Sequence, residues 1–155
     1  MSLLFLIKTL HVLSAAVLFG TGLGIAFFMA MANRSGDPRT IATVGRMVVK
    51  ADLLFTATAV VVQPLTGLAL MRLESLPLRT PWLVATYGLY GLIGACWLPV
   101  VWIQVRMRRL AQAAADSGEP LPTAYRRLYR VWAVLGWPAF LGVIGIYGLM
   151  LFKPV

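Results

Sequence analysis

Apolar and polar residues are not mixed along this chain; they come in blocks. Four predominantly apolar blocks, near 3–32, 41–71, 81–105 and 129–152, are separated by short segments that hold most of the charge. A helix needs about 20 such residues to cross the hydrocarbon core of a bilayer, and every block is long enough. A spanning segment must satisfy its own backbone, which a helix does and an isolated strand does not. The pattern therefore predicts an all-α protein: a transmembrane four-helix bundle in one integral membrane domain covering residues 1–155.

The breaks between blocks carry turn chemistry. Asn33-Arg34-Ser35-Gly36-Asp37-Pro38 ends the first helix, and Pro77 and Pro81 tighten the connection over 72–80. Residues 104–115 read as a helical continuation of the third span beyond the bilayer, stopped at Gly118 and followed by a stiff corner at Pro120 and Pro122. Thr123 is expected to cap a fourth helix that begins before the bilayer, with Tyr125, Tyr129 and Trp132 in the aromatic belt and Trp82 at the opposite interface.

Charge assigns the sides. The first connection carries Arg34, Arg39, Arg46 and Lys50 against Asp37. The third carries Arg106, Arg108, Arg109, Arg126, Arg127 and Arg130 against Asp116 and Glu119. The second carries only Arg72 and Arg79 against Glu74. The positive-inside rule then puts the first and third connections, with the extension of helix three, in the cytoplasm and both termini outside, N-out/C-out. The net charge is +9 and the pI about 10.7. Because the basic residues sit at helix ends, the expected partners are anionic lipid headgroups at the cytoplasmic face and not nucleic acid. With 60% hydrophobic and 12% charged residues and a mean hydropathy of +0.83, a soluble domain is excluded. The single Cys96 excludes an internal disulfide and a Cys-x-x-Cys-His haem attachment. Ala30-Met31-Ala32 mimics a cleavage site, but the segment before it is long and holds Lys8 and His11, so a cleaved signal is not expected.

Small residues predict where helices approach closely: Gly88, Gly91, Gly94 and Ala95 on the third, Gly142, Gly145 and Gly148 on the fourth. Gly20 and Gly24 form a Gly-x-x-x-Gly on the back of the first helix, a candidate homodimer contact.

The candidate chemistry lies in the first two spans. His11 is the only histidine, and an ionisable group inside a spanning helix should face the protein interior. On a helical wheel Lys8, Ser14, Ala15, Leu18 and Gly22 fall within about 60° of it. In the second span Asp52, Thr56, Ala59, Thr66, Gly67 and Leu70 fall within about 60° of Gln63, which makes a polar stripe. Pro64 removes one backbone donor and displaces the carbonyl of Val60, which then needs another partner. His11 and Gln63 each lie about 12 Å below the outer surface, a depth they share with Tyr87, Tyr90, Gly145 and Tyr147. Neighbouring helices let His11 and Gln63-Pro64 meet. Asp52 is close to the cytoplasmic interface, where Lys50, Arg46 or Arg106 could pair with it.

A neutral imidazole is a haem-iron or copper ligand. With one histidine per chain, a haem would be five-coordinate, take Met, Lys, Tyr or water, or sit at a dimer interface. Too few His, Cys and carboxylate groups converge for zinc. The scattered methionines form no copper-type ladder, and no phosphate loop is present. The plain structural alternative is that His11 bonds the helices together, Gln63 satisfies the kink, and Trp97-Leu98-Pro99-Val100-Val101-Trp102 is a kink flanked by bulky packing.

Taken in order, Lys8-Thr9-Leu10-His11, Gly20-Thr21-Gly22-Leu23-Gly24, Asn33-Arg34-Ser35-Gly36-Asp37, Gln63-Pro64-Leu65-Thr66-Gly67 and the segment from Ala95 to Trp102 give the chain a family likeness. It resembles the bacterial four-helix integral membrane proteins grouped as a predicted family of unknown function, over essentially its whole length. The Lys-x-x-His opening of helix one is also similar, more distantly, to that of the four-helix membrane protoporphyrinogen oxidase and the copper-resistance D-type proteins. That resemblance implies haem b at His11. The oxidase family also uses a lysine in its third helix, whereas this chain has none between Lys50 and Lys153.

Three functional expectations follow for a multi-pass protein of the bacterial inner membrane. The first is a small haem-b-binding, redox-linked protein, with His11 as ligand to the haem iron, Lys8 meeting a propionate, and Ser14, Gln63 and Pro64 shaping the pocket. The second is a transporter, or a subunit of one, for a small solute or metal ion, with Asp52, Thr56 and Thr66 along its path and a homodimer as the working unit. The third is a structural or accessory protein. Whether the protein is an enzyme is left open.

Overall fold

The structure, a computed structural model, describes residues 2–154. Its elements are α1 (Leu3–Ser35), α2 (Pro38–Ala51), a π-helical turn (Asp52–Thr56), α3 (Ala57–Leu73), α4 (Pro81–Ser117) and α5 (Thr123–Phe152). The segment from α2 through the π turn to α3 is one continuous rod. This leaves four helices long and apolar enough to cross a membrane, and no strands among the described residues.

Local chemistry explains the ends. Ser2 accepts from the Phe5 N–H at the start of α1. Gly36 ends that helix at φ +67°, a left-handed conformation that glycine adopts without strain, and its N–H returns to the Asn33 carbonyl. Asp37 caps α2 by accepting from the Arg39 and Thr40 amides at 3.2 and 2.9 Å, with Pro38 in the first helical position, where its missing N–H costs nothing. Gly118 stops α4 at φ +72°. Thr123 does not cap α5. Pro122 occupies the cap position with extended backbone, so Thr123 is the first helical residue and no side chain caps this end.

The tight core sits toward the basic end of the bundle. There Ile25, Met29 and Ala32 of α1 meet Ile41, Ala42 and Val48 of α2, Val100, Ile103, Met107 and Ala111 of α4, and Tyr125 and Trp132 of α5. The long extension of α4 is thus not a free arm. Ala111 is fully buried, and Gly45 of α2 packs against Arg108 of α4. At the end holding both termini, a smaller cluster joins Met71, Trp82 and Leu83. Trp82 is buried there, with Lys153 Nζ 5.7 Å from its ring centre.

α4 packs most extensively on α5, α1 on α3, and α2 on α4. The α4–α5 seam uses one of the two expected small-residue stripes. The receiving surface is on α5, where Ile93 fills the space at Gly142 and Leu89 that at Gly145, while Gly88, Gly91 and Gly94 of α4 face open space. A stripe of small residues marks a face that can be approached; which stripe is used depends on how each helix is rotated. Phe19 stacks on Phe140 at 5.2 Å and meets Tyr147 edge-on, joining α1 to α5.

Candidate functional site

The polar residues of the spanning helices gather in two separate clusters. The first joins α1 to α3. His11 Nδ1 lies 2.7 Å from Thr66 Oγ1. Gln63 Nε2 donates to the His11 carbonyl and to Ser14 Oγ, both at 2.8 Å, and Ser14 Oγ donates to the same carbonyl at 3.1 Å. The imidazole is half-buried, and Gly67 stands against its Cε1, 3.4 Å from where a side chain would begin. Pro64 lies inside α3, and the Val60 carbonyl it displaces accepts from the Tyr90 hydroxyl of α4. His11, Ser14, Gln63 and Thr66 are thus brought together.

Proton counting sets the state of the ring. The Thr66 hydroxyl has one proton and two nearby carbonyls to give it to, Val62 at 2.8 Å and Gln63 at 3.1 Å. Toward His11 its oxygen is then an acceptor, so Nδ1 carries a hydrogen, and in the neutral ring Nε2 keeps its lone pair. Nε2 makes no hydrogen bond, yet it is not among the fully buried, unpartnered atoms of the described residues. It retains accessible surface.

Lys8 is engaged elsewhere. Its Nζ is 2.9 Å from Glu74 Oε1, an ion pair that ties the start of α1 to the end of α3. The hydrogen bond from Lys8, and then the charges of Lys8 and Lys153, hold the Glu74 carboxyl below the usual carboxylate range. A propionate at Lys8 would have to displace this carboxylate. In the first connection the Thr40 hydroxyl, followed by the Thr40 and Arg39 amides, likewise holds the Asp37 carboxyl low.

The second cluster joins the π turn to α4 and α5. Asp52 is 3% exposed. Trp97 Nε1 donates to its Oδ1 at 3.3 Å. With the Gln104 amide oriented to match its neighbours, Nε2 donates to Asp52 Oδ2 and Oε1 accepts from Trp132 Nε1, both at 3.2 Å. The carboxylate pairs with none of Lys50, Arg46 and Arg106; Arg106 instead lies over the Trp102 ring. Thr56 is buried beside Asp52, and its Oγ1 has no hydrogen-bond partner.

The stripe from Asp52 to Thr66 is therefore split, and the π turn is the cause. Adding one residue to a helical turn rotates everything beyond it by about 100°. Asp52 consequently faces α4 and α5 while Gln63 and Thr66 face α1. The sequence marks Glu74 only as a countercharge, Trp97 as kink packing and Trp132 as part of the aromatic belt, and it does not single out Gln104. The spacing of Trp97 and Gln104, two full turns apart on one face, was the available signal.

Two hollows lie at the basic end, away from His11. One of about 410 Å³ is bordered by Arg39, Arg46, Gln112 and Asp116. The other, of about 440 Å³, is bordered by Asn33, Tyr125, Arg126 and Arg130. Among the described residues no three His, Cys, Asp or Glu side chains converge as a metal site would need, so any metal at His11 would have to bring its other ligands with it.

No curated protein and no solved structure matches the chain. Residues 5–154 match the family described as "Predicted integral membrane protein (DUF2269)". That match spans nearly the whole chain, all four spanning helices included, and the protein belongs to this family of integral membrane proteins.

Proposed function

We propose that the protein is a small haem-b-binding, redox-linked protein of the bacterial inner membrane, with His11 as its axial ligand. The observation that supports this reading is the contact of His11 Nδ1 with a hydroxyl whose own proton has backbone acceptors. Nδ1–H is committed to Thr66, and the lone pair of Nε2 is free. An outer partner on one ring nitrogen is the usual support for a histidine that ligates through the other. The donor set fits a five-coordinate haem, which needs one protein nitrogen and carries its remaining ligands itself. Gly67 adds to the fit, because hydrogen in place of a side chain leaves the ring edge at Cε1 uncovered.

A bound haem supplies one-electron chemistry. This chain's residues hold the ligand ready for it. Thr66 fixes the tautomer and holds the ring, while Gln63 bonds the His11 carbonyl and Ser14 and so ties α3 to the helix that carries it. In this reading both termini are outside, the basic connections meet anionic headgroups in the cytoplasm, and Gly20 and Gly24 are available to a second copy of the chain.

The test is an absorption spectrum of protein purified from haem-sufficient cells, followed by haemin titration. A Soret band that is lost in His11→Ala is expected. No band before or after titration rejects the reading, and a normal band in His11→Ala rejects the residue.

A further inference from the structure

The Asp52 cluster has no part in haem binding. It lies about 9 Å deeper along the helix than Arg46, in the core that closes the basic end of the bundle. Both direct partners of the carboxyl, Trp97 Nε1 and Gln104 Nε2, are neutral donors. Among the described residues the one ion pair is Lys8–Glu74, at the other end.

The surroundings supply no compensating charge. α1 has no titratable group between His11 and Arg34, and α3 has none up to Arg72. On α2, Arg46 and Lys50 are both exposed, and neither pairs with Asp52. On α4, Cys96 precedes Trp97, Tyr90 is bonded to the Val60 carbonyl, and Arg106 stacks on Trp102. On α5, Tyr129 stacks on Trp132. A charge buried at membrane depth is paired, or it is neutralised.

A second observation points to the same place. Thr56 is 6% exposed, and its Oγ1 is the one fully buried side-chain polar atom without a partner among the described residues. It lies one turn on from Asp52, beside the carboxyl. Buried polar atoms almost always find a partner, so this one requires an explanation. The neighbouring carboxyl is its available partner in either state: the Thr56 hydroxyl donates to an ionised Asp52 and accepts from a protonated one. A metal cation does not fit, because N–H groups point at both carboxylate oxygens and no second acidic group is present.

We propose that Asp52, Thr56, Trp97 and Gln104 form a proton-binding site inside the membrane. The carboxylate takes one proton from water at the basic end and becomes a carboxylic acid. Its O–H is donated to Thr56 Oγ1, and the Trp97 and Gln104 donors stay in place. One positive charge enters the site and no other bond changes. The π turn makes the site possible, since it rotates Asp52 off the His11 face and onto α4 and α5.

Infrared difference spectroscopy of the full chain in phosphatidylglycerol–phosphatidylethanolamine vesicles tests this without any haem. Lowering the pH should produce the carbonyl stretch of a water-excluded carboxylic acid. That band should be absent in Asp52→Asn and shifted in Thr56→Val. No such band in the wild type, or a band that survives in Asp52→Asn, overturns the proposal. So does a band that sodium abolishes at constant pH, which would make the site a cation site. If Asp52→Asn does not fold, the wild-type band and its shift in Thr56→Val decide, and an unshifted band overturns the assignment of Thr56 as acceptor.

Discussion

Thr66 Oγ1 lies 2.7 Å from His11 Nδ1 and spends its single proton on the backbone of its own helix, so the imidazole is the donor. One hydroxyl thus sets the tautomer of the only histidine in the protein. Thr66→Val keeps the shape and removes the acceptor. Nitrogen NMR of the labelled imidazole should show the hydrogen confined to Nδ1 in the wild type and shared between Nδ1 and Nε2 in the variant. Stability should fall by about 1 kcal/mol, the usual net worth of one such bond. An unchanged tautomer would remove Thr66 from its assigned role.

Tyr90 takes over a carbonyl that Pro64 puts out of reach of its own helix, bonding Val60 across from α4. Tyr90→Phe leaves that oxygen unpaired at membrane depth. The expected loss is about 1–3 kcal/mol, read as a lower unfolding midpoint in detergent. In the Pro64→Ala background α3 can recover its internal bond, so the same change should cost much less.

Gly142 is the tightest point of the α4–α5 seam, with a Cβ there placed 2.8 Å from Ile93 Cγ1. Gly142→Ala displaces the Ile93 side chain from its place in the seam and should cost about 1–3 kcal/mol, as overpacking does. Gly88→Ala enters open space and should cost nothing measurable. Thermal unfolding of the two variants side by side checks the assignment of the seam, and equal effects would refute it.

Glu74 and Asp37 carry the acid dependence. Both carboxyls sit below their ordinary range in the folded protein, Glu74 through Lys8 and Asp37 through Thr40 and the amides it caps. Groups shifted in this direction stabilise the fold above their unfolded values and lose that contribution as pH falls through the folded ones. The unfolding midpoint should therefore fall in the acid range. Glu74→Gln and Asp37→Asn should each flatten that fall, and the Glu74 share should also shrink with salt, because the Lys8 side of the pair is exposed.

The sequence by itself determined where the chain crosses the bilayer, where each helix breaks, and that His11 and Gln63 lie at one depth. Hydropathy, turn residues and rise per residue are local quantities, and they add along a chain without reference to its neighbours. Even the need of the Val60 carbonyl for a new partner followed from Pro64 alone, although nothing local named Tyr90. Only the tertiary structure decided which polar residues meet. A uniform wheel puts Asp52 and Gln63 on one stripe, whereas one π turn between them sends Asp52 to Trp97 and Gln104 and leaves Gln63 with Ser14. Lys8 found Glu74, and the α4 glycines, expected at a close helix approach, face open space. Each of these outcomes depends on the rotation of one helix against another. Rotation comes from the packing of whole faces, and the order of residues along any single helix does not specify it.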